Sequence, residues 1–153
     1  MLRISRLTDY GTVVLAHLAR DDAALVSAAE VAAATGLALP TVSKLLKELA
    51  KAEIVMSTRG SHGGYQLARD AAAISAADVI DALEGPVSIT ECAAGDSQCD
   101  LQADCHVGRT WQRINTAIRR ALDEVSLADL LRTNSPLPRF EFAGTPVSVE
   151  HKD

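Results

Sequence analysis

The sequence predicts a mainly α-helical protein with one small β-hairpin. In the first half of the chain, apolar residues recur three or four positions apart in three separate segments, which is the period of an amphipathic helix. Two short strand-like runs flank a glycine-rich stretch, and another long helical pattern follows near the carboxyl end. The chain has 153 residues, of which 48% are hydrophobic and 23% charged, so we expect one globular domain rather than a disordered chain.

The first two helices are predicted from their capping signals. Thr8 is expected to cap a helix that extends to about position 20, with Asp9 in the first turn, where the helix dipole favours an acid. The expected apolar face of this helix contains Tyr10, Val13, Val14 and Leu18. Ser27 and Glu30 have the spacing of a capping box, which predicts a short second helix that ends at Gly36.

The third helix is predicted to have Pro40 in its first turn. One face repeats apolar residues at the helical period, namely Val42, Leu45, Leu46 and Leu49. The opposite face is polar and contains Thr41, Ser43, Lys44, Lys47 and Lys51. Two short helices joined by a tight glycine-containing turn, the second of them polar on one side, are typical of a helix-turn-helix.

A β-hairpin is predicted directly after the third helix. Residues 54–58 and 65–67 are strand-like, and the sequence Arg-Gly-Ser-His-Gly-Gly between them suits a turn. A hairpin in this position makes the predicted fold a winged helix-turn-helix. Ser75 then opens a further helix over residues 76–83, which is expected to end at Gly85 and Pro86.

A long amphipathic helix is predicted over residues 107–125. Its apolar stripe contains Val107, Trp111, Ile114, Ile118, Ala121 and Val125. A helix of about five turns, at about 3.6 residues each, has more apolar surface than so small a domain covers. We therefore expect the last five of these residues to form a homodimer interface. A short helix is expected from Ser126 to Leu131, and residues 132–153, with three prolines, are expected to be a flexible tail.

Net charge differs sharply along the chain. Residues 1–69 carry +2, residues 70–108 carry −8 and residues 109–153 carry +1, although the whole chain is at −5. The overall acidity argues against a nucleic-acid partner, but DNA binding depends on the local charge. No apolar run is long enough for a membrane span and the amino terminus is unlike a signal peptide, so we expect a cytoplasmic protein with no membrane partner.

The surface predicted to bind double-stranded DNA combines the third helix and the wing. A winged helix places its third helix in the major groove, where residues near the amino end of that helix reach base edges. The expected contacts from this helix are Pro40, Thr41, Ser43, Lys44 and, nearer the phosphates, Lys47. The wing tip adds Arg59, which suits the narrow minor groove, and His62. The alternative is that the lysines only form a solvated face.

All three cysteines lie at the end of the acidic stretch. Six residues separate Cys92 from Cys99 and five separate Cys99 from Cys105, which are longer gaps than structural zinc sites usually have. An odd number of cysteines in a cytoplasmic protein argues against a disulfide framework. Three thiolates in one loop suit an iron–sulfur cluster, with zinc and free or redox-active thiols as the alternatives. A fourth, non-thiolate ligand is then needed, either His106 or a carboxylate from elsewhere.

Several motifs follow one another in a specific order. They are Leu7-Thr8-Asp9-Tyr10-Gly11, Thr35-Gly36-Leu37, Arg59-Gly60, Gly63-Gly64-Tyr65, Ile80 to Pro86, the three cysteines, and Trp111 with Ser126 to Leu130. Together they closely resemble the iron–sulfur winged-helix repressors of the IscR and NsrR type, over about residues 1–131. The run from Leu39 to Leu46 and the tripeptide Thr90-Glu91-Cys92 look most like the regulators of the SUF iron–sulfur assembly system.

The resemblance implies a homodimer that binds an operator and changes its DNA affinity with the state of the cluster. It implies that the three cysteines are ligands of a 2Fe–2S or 4Fe–4S cluster. In nitric-oxide-sensing members the fourth ligand is the partner subunit's aspartate in the Thr-Asp-Tyr-Gly motif, which matches Asp9 here. Gly108 occupies the position at which Isc-type members have a histidine ligand. His106 is therefore the less favoured candidate for the fourth ligand.

Four segments and one function are predicted from these observations. Residues 1–86 are expected to form a DNA-binding region, 87–106 a cluster loop, 107–131 a dimerisation helix and 132–153 a tail. The predicted function is a transcriptional repressor that senses iron–sulfur status, oxidative stress or nitric oxide. The alternative is a winged-helix regulator with a structural zinc or thiol-redox site. No phosphate loop, nucleophile–base pair or cofactor fingerprint is present, so we expect neither an enzyme nor a small-molecule substrate.

Overall fold

The structure is a computed structural model that describes residues 4–20, 24–60, 62–90 and 107–132, and the backbone of residues 140–142 and 145–147. Its first part contains α1 (Arg6–Leu18), α2 (Ala28–Thr35), α3 (Leu39–Lys51), β1 (Val55–Thr58), β2 (Gly64–Leu67) and α4 (Ala76–Glu84). Its second part contains α5 (Gly108–Asp123), α6 (Leu127–Leu131), β3 (Phe140–Phe142) and β4 (Thr145–Val147). The predicted mainly helical fold with a hairpin after the third helix is confirmed. Among the described residues, no helix has the length and apolar character needed to cross a membrane.

The amino-terminal cap of α1 differs from the prediction. Ser5 caps the helix, since its hydroxyl oxygen accepts hydrogen bonds from the amides of Leu7 at 3.2 Å and Thr8 at 3.3 Å. Thr8 lies inside the first turn, is 3% exposed and donates its hydroxyl proton to Glu84 of α4. The prediction that Thr8 caps this helix is therefore wrong, because a tertiary partner binds its side chain. Asp9 lies in the first turn as predicted.

The buried face of α1 also differs in part from the prediction. Val14 and Leu18 are buried and Tyr10 packs at the edge of the core, as predicted. Val13, however, is 42% exposed, and Leu15 is fully buried instead. Positions 11, 14, 15 and 18 are related by three- and four-residue steps and so share one face of the helix, whereas position 13 lies off that face. The prediction that Val13 belongs to the apolar face is therefore wrong.

Both ends of α2 and the starts of α3 and α4 follow their sequence signals. The predicted capping box of α2 is present, with the Glu30 carboxylate accepting from the Ser27 amide at 2.8 Å. The same helix ends at Gly36, whose φ of +73° is in the left-handed region that a glycine adopts at little cost. Pro40 lies in the first turn of α3 and Ser75 caps α4, both as predicted. Local signals therefore determine where these helices begin and end.

The hydrophobic core lies where α3 packs against α1 and α2. All four residues of the predicted apolar stripe of α3 are fully buried, namely Val42, Leu45, Leu46 and Leu49. Leu127 of α6 joins the same core. The Leu127 amide donates to the Ile74 carbonyl oxygen at 2.7 Å, and the Ala76 amide donates to the Val125 carbonyl oxygen at 2.8 Å. The chain after α5 is therefore held against the residues that lead into α4.

The wing is attached to the helix-turn-helix at its base. β1 and β2 form an antiparallel pair in which Val55 lies opposite Leu67. Val26, which precedes α2, exchanges two backbone hydrogen bonds with Tyr65 of β2, at 3.0 and 2.8 Å. These bonds add a third backbone segment to the hairpin. The base of the wing is therefore fixed, while residues 58–60 near its tip are exposed.

Two predicted segments fall wholly or partly outside the described residues. Residues 91–106, which contain the three cysteines and His106, are not among the described residues. Most of the predicted flexible tail, residues 132–153, is also outside them. Within that tail the backbone of β3 pairs antiparallel with that of β4, a hairpin that the sequence did not predict.

Candidate DNA-binding surface and sensor region

α3 presents the predicted polar face to solvent. Ser43, Lys44 and Lys47 are exposed, as is Pro40 in the first turn, whereas Thr41 is half-buried. The fully buried stripe on the other side fixes the rotation of this helix, so its polar side chains cannot turn inward without unpacking the core. The polar face predicted from the sequence is therefore the outward face of the helix.

The charges of α3 favour a phosphate-rich ligand near its amino end. No acidic residue lies in the first turn. Within the described residues, neither Lys44 nor Lys47 forms an ion pair, whereas Lys51 at the carboxyl end is paired with Glu48 at 3.0 Å. The positive end of the helix dipole also lies at the amino end. Two lysines and the helix dipole are thus available to an anionic partner.

The wing tip is a compact turn with exposed basic side chains. Arg59 and His62 are both exposed. A side chain does not fit at Gly63, because a Cβ atom there would overlap the Thr58 carbonyl oxygen and lie 2.9 Å from the backbone carbon of Arg59. The glycine at this position therefore permits the close approach of the two arms of the turn that carries Arg59.

The long helix α5 is left partly uncovered. None of its residues is fully buried, and it packs chiefly against α4. Trp111 is 41% exposed, and the rest of the predicted dimerisation stripe is half-buried, namely Ile114, Ile118, Ala121 and Val125. The opposite side of the helix exposes Arg109, Arg113 and Arg120. An apolar stripe that the rest of the described chain covers only in part is a feature of subunit interfaces.

Asp9 lies at an apolar cavity between α1, α4 and α5. The cavity has a volume of about 290 Å³, and its walls include Val79 and Leu122. Asp9 is the only charged side chain in the lining among the described residues. It is exposed, and no hydrogen bond or ion pair to its carboxylate is formed within the described part of the chain. A carboxylate in this setting is available to a ligand from outside the subunit.

The start of α1 is fastened to the end of α4. The Glu84 carboxylate accepts hydrogen bonds from the Thr8 hydroxyl and from the Ser5 amide, the latter at 3.0 Å. The bond from Thr8, followed by those from Ser5, lowers the pKa of Glu84 below its usual value, while partial burial acts in the opposite direction. Thr8 precedes Asp9, the predicted carboxylate ligand. This contact, which the sequence did not predict, therefore fixes the start of α1, where Asp9 lies, to the end of α4.

The predicted sulfur ligands Cys92, Cys99 and Cys105, and also His106, lie outside the described residues. Within the described residues no group of three or more histidine, cysteine, aspartate or glutamate side chains is placed to hold a metal ion. Three thiols together with one carboxylate that has no partner in the described structure, Asp9, fit an iron–sulfur cluster with one weaker oxygen ligand.

A helix-turn-helix with an outward polar helix, a wing and a long, partly uncovered helix defines a winged-helix transcriptional regulator. The chain belongs to the Rrf2 family, described as "Iron-dependent Transcriptional regulator", whose family model matches residues 4–133. The family and its relatives are transcriptional regulators and not enzymes, which confirms the prediction that this protein is not an enzyme.

Known relatives are similar over most of the chain. Protein rrf2 of Nitratidesulfovibrio vulgaris is 34% identical over 139 residues, which are 90% of this chain and 93% of the relative. CymR (YrzC), the global cysteine regulator of B. subtilis, has a TM-score of 0.65 at 32% identity, covering 86% of this chain and 97% of its own. IscR of T. potens has a TM-score of 0.62 at 31% identity, covering 85% of this chain and 86% of its own. The predicted resemblance to winged-helix regulators of the IscR type is confirmed.

Proposed function

We propose that this Rrf2-family regulator is a dimeric repressor whose affinity for its operator is set by an iron–sulfur cluster. The observation that carries the proposal is the position of the cysteines in the sequence. Residues 91–106, which contain all three, belong to the connection between the end of α4 and the start of α5, the helix with the partly uncovered apolar stripe. A change of ligation in this segment therefore acts directly on the helix assigned to the dimer. The iron dependence named in the family description supports the same interpretation.

In the proposed complex α3 lies in the major groove of double-stranded operator DNA. The residues assigned to base edges and phosphates are Pro40, Thr41, Ser43, Lys44 and Lys47. Arg59 of the wing is assigned to the minor groove, whose negative potential attracts an arginine, and His62 lies beside it in the wing turn. The exposure of all these side chains except the half-buried Thr41 supports the assignment.

The dimer is proposed to form between the α5 helices of two subunits. The residues assigned to this interface are Trp111, Ile114, Ile118, Ala121 and Val125. In a symmetric dimer each residue of the patch is buried in both subunits, so every contact counts twice. A dimer also presents two α3 helices to two half-sites of an operator.

The proposed cluster ligands are Cys92, Cys99 and Cys105, with Asp9 of the partner subunit as the fourth. The exposed Asp9 carboxylate without a partner in the described structure supports this choice. His106, next to Cys105, is the less favoured fourth ligand. When bound, a cluster of either nuclearity, 2Fe–2S or 4Fe–4S, supplies a group that reacts with oxidants and nitric oxide. A hard carboxylate oxygen is a weaker partner for the cluster than a thiolate, which suits a sensor.

The contacts of the chain itself connect this site to the DNA-binding surface. Asp9 is adjacent to Thr8, which together with Ser5 holds Glu84 at the end of α4. α1 also packs against α3. A change at the start of α1 therefore alters how the helix-turn-helix of one subunit sits against α5 of the other. The spacing of the two α3 helices, and with it the operator affinity, changes as a result.

Thiol-based regulation without a cluster is the second candidate function. The structural similarity to a global cysteine regulator favours it. Three cysteines in one segment could equally bind a structural zinc ion or change their oxidation state. A zinc-binding regulator and a thiol-redox regulator would both have the same DNA-binding surface and dimer helix. They would differ from the cluster-binding regulator only in the chemistry of the three cysteines.

Anaerobic purification with iron, sulfide and zinc analysis and visible absorption distinguishes these candidates. We expect iron and sulfide in the wild type, and their loss in Cys92→Ser, Cys99→Ser and Cys105→Ser. Asp9→Ala should change the absorption spectrum and speed the loss of colour in air, while His106→Ala, the control, should behave as the wild type. A colourless protein with stoichiometric zinc, or one without metal, would overturn the cluster proposal in favour of the second candidate.

A further inference from the structure

Polar contacts join α5 to α4 at successive levels along the two helices. Just beyond the carboxyl end of α5, the Val125 carbonyl oxygen accepts from the amide of Ala76, the first residue of α4, at 2.8 Å. Further toward the amino end of α5, the Arg119 guanidinium donates to the Asp81 carboxylate of α4 at 2.7 Å. The contact positions run in opposite directions along the chain, so the two helices are antiparallel.

A third contact lies one turn nearer the amino end of α5, at Asn115. Its side-chain nitrogen donates to the Val87 carbonyl oxygen at 3.0 Å, and its side-chain oxygen accepts from the Ile89 N–H at 3.2 Å. One side chain of α5 therefore satisfies a backbone acceptor and a backbone donor of residues 87–89, which follow α4.

Asp81 connects the second contact with the third. One of its carboxylate oxygens accepts from Arg119, and the other accepts from the Val87 N–H at 3.1 Å. The bond from Asp81 raises the pKa of the Arg119 guanidinium above its ordinary value, although partial burial opposes it. Asp81, Asn115 and Arg119 therefore join α4, α5 and residues 87–89 in one connected set of hydrogen bonds.

Apolar packing holds α5 less firmly than these polar contacts do. None of the residues of α5 is fully buried. Two cavities, of about 290 and 460 Å³, lie beside the contact between the two helices, and both are lined by Ile80 of α4 and Leu122 of α5. A loosely packed apolar contact permits several angles between two helices. Hydrogen bonds are directional, so the polar set selects one of these angles.

We propose that Asp81, Asn115 and Arg119 position α5 relative to the DNA-binding region and thereby determine which spacing between operator half-sites the dimer recognises. The inference rests on the proposed function, because it takes α5 as the dimer helix and α3 as the recognition helix. α4 packs against both α3 and α5. In a symmetric dimer the angle between α4 and α5 therefore sets the separation of the two α3 helices. One base pair more or less moves a half-site by about 3.4 Å along the duplex.

Affinity for operators of different half-site spacing tests the positioning. An operator is selected in vitro with the full-length wild type, and duplexes with one base pair more or less between the half-sites are compared with it by fluorescence anisotropy. In Arg119→Gln and in Asn115→Ala we expect the preference for the selected spacing to fall by roughly threefold to tenfold, because a hydrogen bond is lost in each subunit. Affinity for a single half-site should stay within about twofold of the wild type, since neither substitution touches the DNA-binding surface.

Arg120→Gln is the matched control for the lost charge. Arg120 is the next residue of α5, is exposed and forms no ion pair within the described residues. This variant should keep the wild-type spacing preference. Arg119→Lys retains a cation for Asp81 and should recover part of the preference that Arg119→Gln loses. Sedimentation and thermal unfolding should show that every variant is a folded dimer.

The outcomes separate this inference from the proposed function. A wild type that prefers one spacing, with the same preference in Arg119→Gln and Asn115→Ala, would overturn the positioning inference alone. A wild type that binds all spacings equally would overturn the inference together with the proposed dimer on two half-sites. A protein without iron and sulfide would contradict only the control by a cluster, because the spacing preference needs no metal.

Discussion

Lys44→Ala is expected to lower the operator affinity of the dimer by roughly thirtyfold or more, since about 1–3 kcal/mol of contact is lost in each of two half-sites. Lys44 is exposed on the second turn of α3 and forms no ion pair within the described residues. Fluorescence anisotropy at one fixed salt concentration measures the dissociation constant for two duplexes. One is an operator selected in vitro with the wild type, and the other has an unrelated sequence.

Lys51→Ala is the matched control for this measurement. Lys51 lies on the same helix but at its carboxyl end, where it is paired with Glu48 at 3.0 Å. An exposed pair of this kind contributes little, and we expect a loss of affinity below about threefold. Operator affinity unchanged by Lys44→Ala would contradict the assignment of α3 as the recognition helix. An equal loss on both duplexes would restrict Lys44 to phosphate contacts.

Trp111→Glu is expected to convert the dimer to a monomer at micromolar concentration. Trp111 is 41% exposed in the single chain, so its replacement costs the subunit little. A buried tryptophan at an interface contributes about 2 kcal/mol or more, and symmetry doubles the loss, so the dimer dissociation constant should rise roughly a thousandfold. Sedimentation equilibrium of the metal-free protein measures this constant.

Thr116→Glu serves as the control for the added charge. Thr116 is exposed on α5, on the side of the helix away from the apolar stripe. The Thr116→Glu substitution should leave the dimer intact, and circular dichroism should show that Trp111→Glu and Thr116→Glu are both folded. A dimer of unchanged stability in Trp111→Glu would contradict the assignment of α5 as the interface.

The sequence predicts elements well where one local rule decides the outcome. The four apolar residues of α3 recur at the helical period, and all four are fully buried. The capping box of Ser27 and Glu30 and the end of α2 at Gly36 are likewise found where they were predicted, because a cap needs only its own neighbours. The outward polar face of α3 follows from the same periodicity.

Predictions from the sequence fail where a distant partner decides the outcome. Ser5 and Thr8 are both good capping residues, and only the approach of Glu84, 76 residues beyond Thr8, determines that Thr8 is the buried one. The sequence offers no local signal for this contact. The role of Asn115 also lacks a local signal, because in the sequence it is only a polar residue between two residues of the apolar stripe. Its hydrogen bonds with Val87 and Ile89 depend on the packing of that stretch against α5.

The candidate functional residues show the same difference between features set by local sequence and features set by tertiary packing. The exposure of the α3 and wing residues assigned to DNA follows from the helical period and the glycine-rich turn, both of which are local properties. The availability of the Asp9 carboxylate and the fastening of residues 87–89 depend on how α1, α4 and α5 pack together. Tertiary packing, rather than local pattern, therefore decides which polar side chains are free for a metal and which ones hold the backbone.

Operator titration of the loaded and the metal-free dimer, under anaerobic conditions and at one salt concentration, tests the central claim most directly. Coupling between two sites typically amounts to about 1–3 kcal/mol, so we expect the two affinities to differ by roughly tenfold or more. A Cys92→Ser, Cys99→Ser, Cys105→Ser triple variant should bind as the metal-free wild type does, whether or not iron and sulfide are supplied. Equal affinities of the loaded and metal-free dimers would contradict control by the cluster, although DNA binding through α3 would stand.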